Sequence, residues 1–273
     1  METLSNAIDP YPHERPNIAR VYDYLLEGGH HFEADRTFAE QLCATYPDTP
    51  LNFRVNRAFL RRAVTWLTHA GIDQFIDIGS GLPTVGNVHE IAQGVNPRAQ
   101  VVYVDNDGVA VILSQTLLKD SHVDNRVIAI QADARMPEAI LRHPEVLQLL
   151  DFQRPIAVLM FSILHFFADD AQVAQLLSAF REVIPSGSYL ALSHATLEEQ
   201  RHTQAEAARQ HYTKTVATAV SRTRQQITDL FAGVDLVEPG VVWLPQWHPE
   251  SPNDLWVNEP ERTLYLGGVG RKP

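Results

Sequence analysis

Apolar residues recur at helical spacing through the first quarter of the chain, then gather into short continuous runs separated by helical stretches. Ile18, Val21, Tyr22, Leu25 and Leu26 mark a first helix beginning at Asn17, and Gly28-Gly29 ends it as a C-cap would. Further helices are predicted over 33–44 and 51–69. The segment before them, 1–16, is polar and carries Pro10, Pro12 and Pro16, so it reads as an extended arm. From Gln74 the pattern changes. Strands are predicted at 75–78, 101–104, 126–130, 156–161 and 188–193, with helices near 86–94, 108–119, 138–150 and 170–184. Apolar strands alternating with helices predict an α/β fold, a mostly parallel sheet covered on both faces. Right-handed crossovers then bring the C-terminal ends of these strands to one rim. A polar helical stretch over 198–231, broken near 218–222, follows. The runs DLVEPGVVWLPQWHP and ERTLYLGGVGRK suit an antiparallel hairpin at one edge of the sheet. The expected organisation is an N-terminal arm and helical cap over 1–70, then an α/β domain over 71–273 with a helical insertion near 198–231.

Composition narrows the classes of function. The 273 residues are 45% hydrophobic and 20% charged, ordinary for a globular protein with a full core. A formal net charge of −11 disfavours non-specific binding to nucleic acid or anionic membranes, and neither partner is expected. Arg54, Arg57, Arg61 and Arg62 cluster on one predicted helix and read most simply as a solvated face. Cys43 is the sole cysteine, which excludes an intrachain disulfide and a thiolate cluster. No run approaches the roughly 20 apolar residues of a membrane span, and the first residues lack a secretory pattern, so a cytoplasmic protein is expected. The 12 histidines include no HExxH, and His30-His31 are adjacent rather than a helical turn apart, so no metal is expected. Asp169-Asp170 and Glu198-Glu199 read as helix starts. Ser162 has no GxSxG setting.

The chemistry gathers at the predicted rim. In FIDIGSGLPT, residues 75–84, a buried strand carrying Asp77 breaks into the turn Gly79-Ser80-Gly81, whose glycines allow a ligand to approach the backbone. A dinucleotide fold prefers GxGxxG, but Pro83 and Thr84 follow here and the pattern fails. The second strand ends in Asp105, 24 residues past Gly81, where a carboxylate can accept from both hydroxyls of a ribose. The third ends in Asp133 beside Ala134, an acid for an exocyclic amine with room for its ring. The fourth ends at Phe161-Ser162, with His165 just beyond as the best-placed base, although a packed histidine fits the apolar run equally well. Each acid alone is an ordinary strand end. Together on one rim they favour an adenosine site.

These residues resemble the class I S-adenosylmethionine-dependent methyltransferases over roughly 74–195. A narrower resemblance covers nearly the whole chain. The opening PNIARVYDYLLEGGHHFEADR, 16–36, is similar to a bacterial methyltransferase family catalogued as domain of unknown function 574, through Ala19, Arg20, Tyr22, Asp23, Tyr24, Leu25, Leu26 and Gly28. His30-His31 departs from that family's usual polar pair, and Pro83 replaces the third glycine usual in the class I turn. The resemblance implies a Rossmann-like, mostly parallel seven-stranded sheet with an antiparallel edge strand and an N-terminal helical lid. It implies S-adenosyl-L-methionine as cofactor, with Asp77, Gly79, Ser80 and Gly81 beside its methionine part. Asp105 and Asn106 would hold the ribose, Asp133 and Ala134 the adenine, and Phe161-Ser162 would lie near the sulfonium. Because Tyr22, Asp23 and Tyr24 are consecutive on a helix, they cannot all face a core. The lid reading gives Tyr24 or Arg20 the cofactor's carboxylate.

The function expected is methyl transfer to a small-molecule acceptor. The alternatives are a cofactor-binding protein with regulatory or lost activity, and a dinucleotide-dependent oxidoreductase. Trp243, Trp247 and Trp256 could line an apolar acceptor pocket, though packing is the simpler reading. The acceptor and the oligomeric state are not written in the sequence.

Overall fold

The computed structural model describes residues 13–82, 86–120, 125–198 and 203–273. Most of the predicted arm, Pro83, Thr84 and Glu199 lie outside the described residues. One sheet runs through the chain. Its strands are β1 (Gln74–Ile78), β2 (Gln100–Asp105), β3 (Val127–Gln131), β4 (Ala157–Phe161), β5 (Tyr189–Ala195), β6 (Asp235–Leu236), β7 (Val242–Trp243) and β8 (Tyr265–Arg271). Their order is β3-β2-β1-β4-β5-β8-β6, with β7 also on β8. The first five are parallel, and each predicted strand lies within a residue or two of an observed one.

The helices are α1 (Ile18–Leu25), α2 (Glu33–Thr45), α3 (Thr49–His69), α4 (Val88–Val95), α5 (Gly108–Asp120), α6 (Pro137–Leu141), α7 (Pro144–Leu149), α8 (Asp170–Val183), α9 (Thr203–Thr215) and α10 (Arg224–Asp229). The stretch expected as one helix over 138–150 is two, because Pro144 has no N–H and cannot continue the first. Asp169 caps α8 as read, its carboxylate accepting from the Ala171 N–H at 2.9 Å. Among the described residues, no helix is long and apolar enough to cross a membrane.

Strand side chains alternate between two cores. Phe75, Val101 and Leu159 meet α3 and α4 on one face, while Ile76, Val102 and Val158 meet α6, α7 and α8 on the other. A third cluster joins α1 and α2 to Ala205 and Ala208 of α9, so the insertion packs on the N-terminal helices. The closing hairpin is present with a refinement. Antiparallel β8 pairs along β5 from Tyr189↔Arg271 to Ala195↔Tyr265, and its far side carries both β6 and β7. The outermost position is therefore one strand interrupted at Pro239-Gly240, which cannot hold an unbroken ladder. Gly267 of β8 has no room for a side chain: a Cβ would lie 2.7 Å from the Leu192 carbonyl oxygen and 2.7 Å from Leu244.

The arginines on α3 correct the solvated-face reading. Arg54 and Arg61 do pair on the surface with Glu27 and Glu250. Arg62 is buried, donating through Nε to the Trp247 carbonyl at 2.8 Å and through Nη2 to the Leu244 carbonyl at 2.7 Å. That clamp holds the segment after β7 on the sheet face, where Trp247 meets the edges of Phe59 and Trp66. Trp243 and Trp256 are also packed, beneath Arg224 and Arg262. Replacing Arg62 by Met keeps the apolar stem but leaves the Trp247 carbonyl without its donor and the Leu244 carbonyl with the Trp247 N–H alone. Urea unfolding of Arg62→Met should show a loss of about 1–3 kcal/mol; a change under about 0.5 kcal/mol would mean the clamp contributes nothing.

Candidate functional site

The turn after β1 is built by its neighbours. Gly79 and Gly81 have φ of +72° and +66°, a region that side chains disfavour, and a Cβ on Gly79 would fall 2.2 Å from Ile163. The N–H groups of Gly79 and Ser80 donate to the Val104 carbonyl, at 2.8 and 3.1 Å. The Gly81 N–H donates to Asp105 Oδ2 at 2.8 Å, and the Asp107 N–H to Asp105 Oδ1 at 2.9 Å. Asp105 thus ties the turn to the end of β2. Each of its oxygens still has a second lone pair. Burial raises its pKa against these backbone bonds. Asp77 is buried below the turn, and burial pushes its carboxyl up to about 7, opposed by Arg57 and reinforced by Asp105.

At the end of β3, Asp133 is gripped by Arg135 through that residue's N–H and guanidinium, both at 2.9 Å. Burial alone would raise the Asp133 pKa; these Arg135 bonds outweigh it and lower it. Buried Ala134 stands beside it.

The N-terminal helix closes the cleft with two of its three consecutive candidates. The Tyr22 hydroxyl accepts from Asn56 Nδ2 at 2.9 Å. Asp23 is buried: Oδ2 accepts from the His30 N–H at 2.7 Å and lies 3.2 Å from His31 Nδ1, while Oδ1 has no hydrogen-bond partner among the described residues. Gly28 exists to make room for this carboxylate, since a Cβ there would be 2.1 Å from Asp23 Oδ1. The left-handed residue ending α1 is Glu27, φ +64°, not a glycine as expected.

Tyr24 and Arg20 are not in the cleft. The Tyr24 hydroxyl donates outward to Glu40 at 3.1 Å. The buried Arg20 guanidinium pairs with Asp35 at 2.8 Å and donates to the Arg15 carbonyl at 2.9 Å, fastening α1 to the start of α2. The carboxylate role given to these two has no free partner in them. Arg57 lines the cleft, close enough to Asp77 to oppose the rise in its pKa.

Beyond β4 the backbone reverses at Ser162, φ +55°. The Ser162 N–H donates to Ser193 Oγ at 2.9 Å, and that hydroxyl donates to Asn56 Oδ1 at 2.6 Å. The following turn, Leu164–Phe166, buries His165 against His194, at 5.7 Å between ring centroids. Burial, with His194 and Arg222 beside it, drops the His165 pKa well below the usual imidazole range, so the ring is neutral. Arg222 pins this turn through the Leu164 and Phe167 carbonyls and Asp170, and donates to His194 Nε2 at 2.6 Å.

Together these elements enclose a cleft of about 380 Å³, lined by Asp77, Gly79, Ser80, Gly81, Asp105, Asn106, Asp133, Ala134, Phe161, Ser162 and Tyr22, joined by Asp23, Asp107 and Arg57. His165 lies outside it. It lines a second cavity of about 130 Å³ that shares Ile18, Tyr22, Ser162 and Phe166 with the first.

A family model described as S-adenosyl methyltransferase matches residues 1–273. The chain belongs to that family. The S-adenosyl methyltransferase reading also agrees with solved structures. A domain-of-unknown-function 574 family protein from Streptomyces avermitilis is 36% identical, with a TM-score of 0.88, over 96% of this chain and 99% of that one. A candidate methyltransferase from Thermobifida fusca is 37% identical, with a TM-score of 0.87, over 97% and 99%. An O-methyltransferase family protein from Burkholderia thailandensis shares the fold at 12% identity and a TM-score of 0.51, over 84% and 61%. No curated protein matches.

The enzyme is thus an S-adenosylmethionine-dependent methyltransferase, and its cofactor is S-adenosyl-L-methionine. The cleft residues fit that group: acids close the ends of β1, β2 and β3, glycines admit it to the backbone, and Asp23 Oδ1 awaits a donor. Asp23, Asn56, Arg57 and Arg222 escaped the sequence reading as site residues. Only Asp23 left a signal, as the middle of three consecutive helix residues followed by a glycine that leaves it space.

Asp77 makes a pH prediction. When folded it keeps its proton to about pH 7, whereas unfolded it loses it near pH 4. Between these values the folded state binds more protons, so stability from Asp77 is full below about pH 4 and is lost as pH rises toward 7. The unfolding free energy of wild type should fall relative to Asp77→Asn by about 3–4 kcal/mol across that window, then level off. A difference independent of pH would show that burial does not hold the proton.

Proposed function

We propose that the protein moves a methyl group from S-adenosyl-L-methionine to a small-molecule acceptor. The observation that carries this reading is the small, mostly apolar side cavity joined to the acid-lined cleft at Ser162 and Tyr22. A concave, apolar space of that size suits a small molecule.

In this reading Asp105 holds the ribose with Asn106 beside it, and Asp133 and Ala134 frame the adenine. Gly79, Ser80 and Gly81 border the methionine part, whose ammonium goes to Asp23 and Asp77 and whose carboxylate goes to Arg57. Arg20 and Tyr24 support the lid from outside. Phe161 and Ser162 border the reacting end. When bound, the cofactor supplies an electrophilic methyl group on a sulfonium sulfur. The protein's own task is to align the acceptor, exclude water and take any proton the acceptor releases. His165 is the base we assign to that proton.

Incubating the protein with methyl-labelled cofactor and a bacterial metabolite extract should label a small product. Tight cofactor binding with no transfer to any fraction would favour a regulatory binding protein instead. Calorimetry should show Asp105→Ala weakening cofactor binding by about 1–3 kcal/mol, since its ribose bonds go with it; unchanged affinity removes Asp105 from the site. A cationic group beside Asp77 favours its charged form. Binding near pH 6.5 should therefore release protons, seen as a dependence of the binding enthalpy on buffer ionisation heat that Asp77→Asn removes.

A further inference from the structure

We infer that the second cavity is the acceptor site and that its ligand is an uncharged, single-ring aromatic alcohol, an inference that rests on the methyl-transfer reading above. Size is the first argument. The cavity measures about 130 Å³, and an apolar cavity of about 150 Å³ holds benzene. Its walls come from the N-terminal helices, the rim and α9, and they present the rings of Tyr22, Tyr46, Phe53, Phe166, Tyr212 and Tyr265. Phe166 and Tyr212 lie nearly parallel, 21° apart. Such walls suit a flat ring.

Charge is the second argument. Among the described lining residues, Arg209 is the one charged side chain, and its guanidinium is already bound to Glu206 at 2.7 and 2.8 Å and to the Ala219 carbonyl at 2.7 Å. No counter-ion remains for a carboxylate or an ammonium, and burying either unpaired is costly.

The third argument is a pair of buried polar groups left waiting, the His165 ring and the Ser162 hydroxyl. His165 lines the cavity, and its Nδ1 has no hydrogen-bond partner among the described residues. Burial holds its ring neutral, helped by His194 on β5 and by Arg222, which is itself paired with Asp170. A neutral imidazole accepts a hydrogen bond from a hydroxyl. Near it, the Tyr265 phenol lies beside the Ser162 hydroxyl, where cavity and cleft meet. In transfer, the acceptor oxygen bonds to the methyl carbon as the carbon–sulfur bond breaks with its electron pair left on sulfur. The hydroxyl proton passes to the His165 imidazole, then to water when the site opens. The products are an aryl methyl ether and the neutral thioether.

The test uses the full chain with phenol, aniline, benzoate and benzylamine as probes, read by saturation-transfer NMR and by calorimetry. Phenol should bind at least about tenfold more tightly than benzoate or benzylamine, and cofactor should turn phenol but not aniline over. Ala208→Phe and Ala205→Leu fill the cavity from α9. Each should weaken phenol binding by about tenfold or more, with cofactor affinity within about twofold of wild type. That unchanged cofactor affinity also certifies the fold. Benzoate or benzylamine binding as well as phenol, aniline being the better acceptor, or phenol binding undiminished in both filled variants would overturn the inference. Wild type that binds no cofactor would instead sink the methyl-transfer reading.

Discussion

Asn56 is the joint on which the site depends. It sits on α3, a helix embedded in the core, and its amide is spent in two directions. One end donates to the Tyr22 hydroxyl on α1, and the other accepts from Ser193 on β5. Ser193 in turn takes the N–H of Ser162, fixing the reversal after β4. A non-glycine residue in the left-handed region costs on the order of 1 kcal/mol, and these bonds are what hold Ser162 there. Lid, sheet and the rim turn are therefore set by one buried, satisfied network. In a low-dielectric interior such a network is rigid while complete and costly when broken. Replacing Asn56 by an apolar residue would take away the donor to the Tyr22 phenol and the acceptor of the Ser193 hydroxyl, at the junction of cleft and cavity.

Much of the scaffold was legible because its cause is local. Strands buried on both faces must be short apolar runs, and turns needing φ above zero take glycine, so β1 to β5 and Gly79-Ser80-Gly81 stand out in the chain. Asp77, Asp105 and Asp133 could be placed on one rim because the handedness of the crossovers fixes which strand ends share it. What stayed hidden depends on partners far away in sequence. Nothing near Arg62 announces that carbonyls at 244 and 247 will need it, and nothing near Arg222 points to Leu164 and Phe167. Tyr24 and Arg20 were read toward the cofactor because their helix was rightly expected at the cleft. Which way each turns was decided by Glu40 and Asp35 on a helix whose packing the sequence does not spell out. The tryptophans show the same limit: the aromatic cavity is real, yet it is built from tyrosines and phenylalanines of several separate elements.

The site's electrostatics divide in a way that bears on catalysis. Strands β1, β2 and β3 each end at or near a carboxylate, whereas β4 ends in Phe161 and Ser162 and carries none. In the proposed orientation, the acids meet the ammonium, ribose and adenine, groups whose charge and hydrogen bonding do not change during transfer. The sulfonium, whose charge disappears, lies at the neutral strand end. A carboxylate placed there would stabilise the cation more than the transition state, in which that charge is already dispersing, and would slow the step. The empty end of β4 is thus as much a part of the design as the acids beside it. The neutral His165 fits the same logic: a protonated imidazole there would repel the sulfonium, and the burial that keeps it unprotonated removes that repulsion.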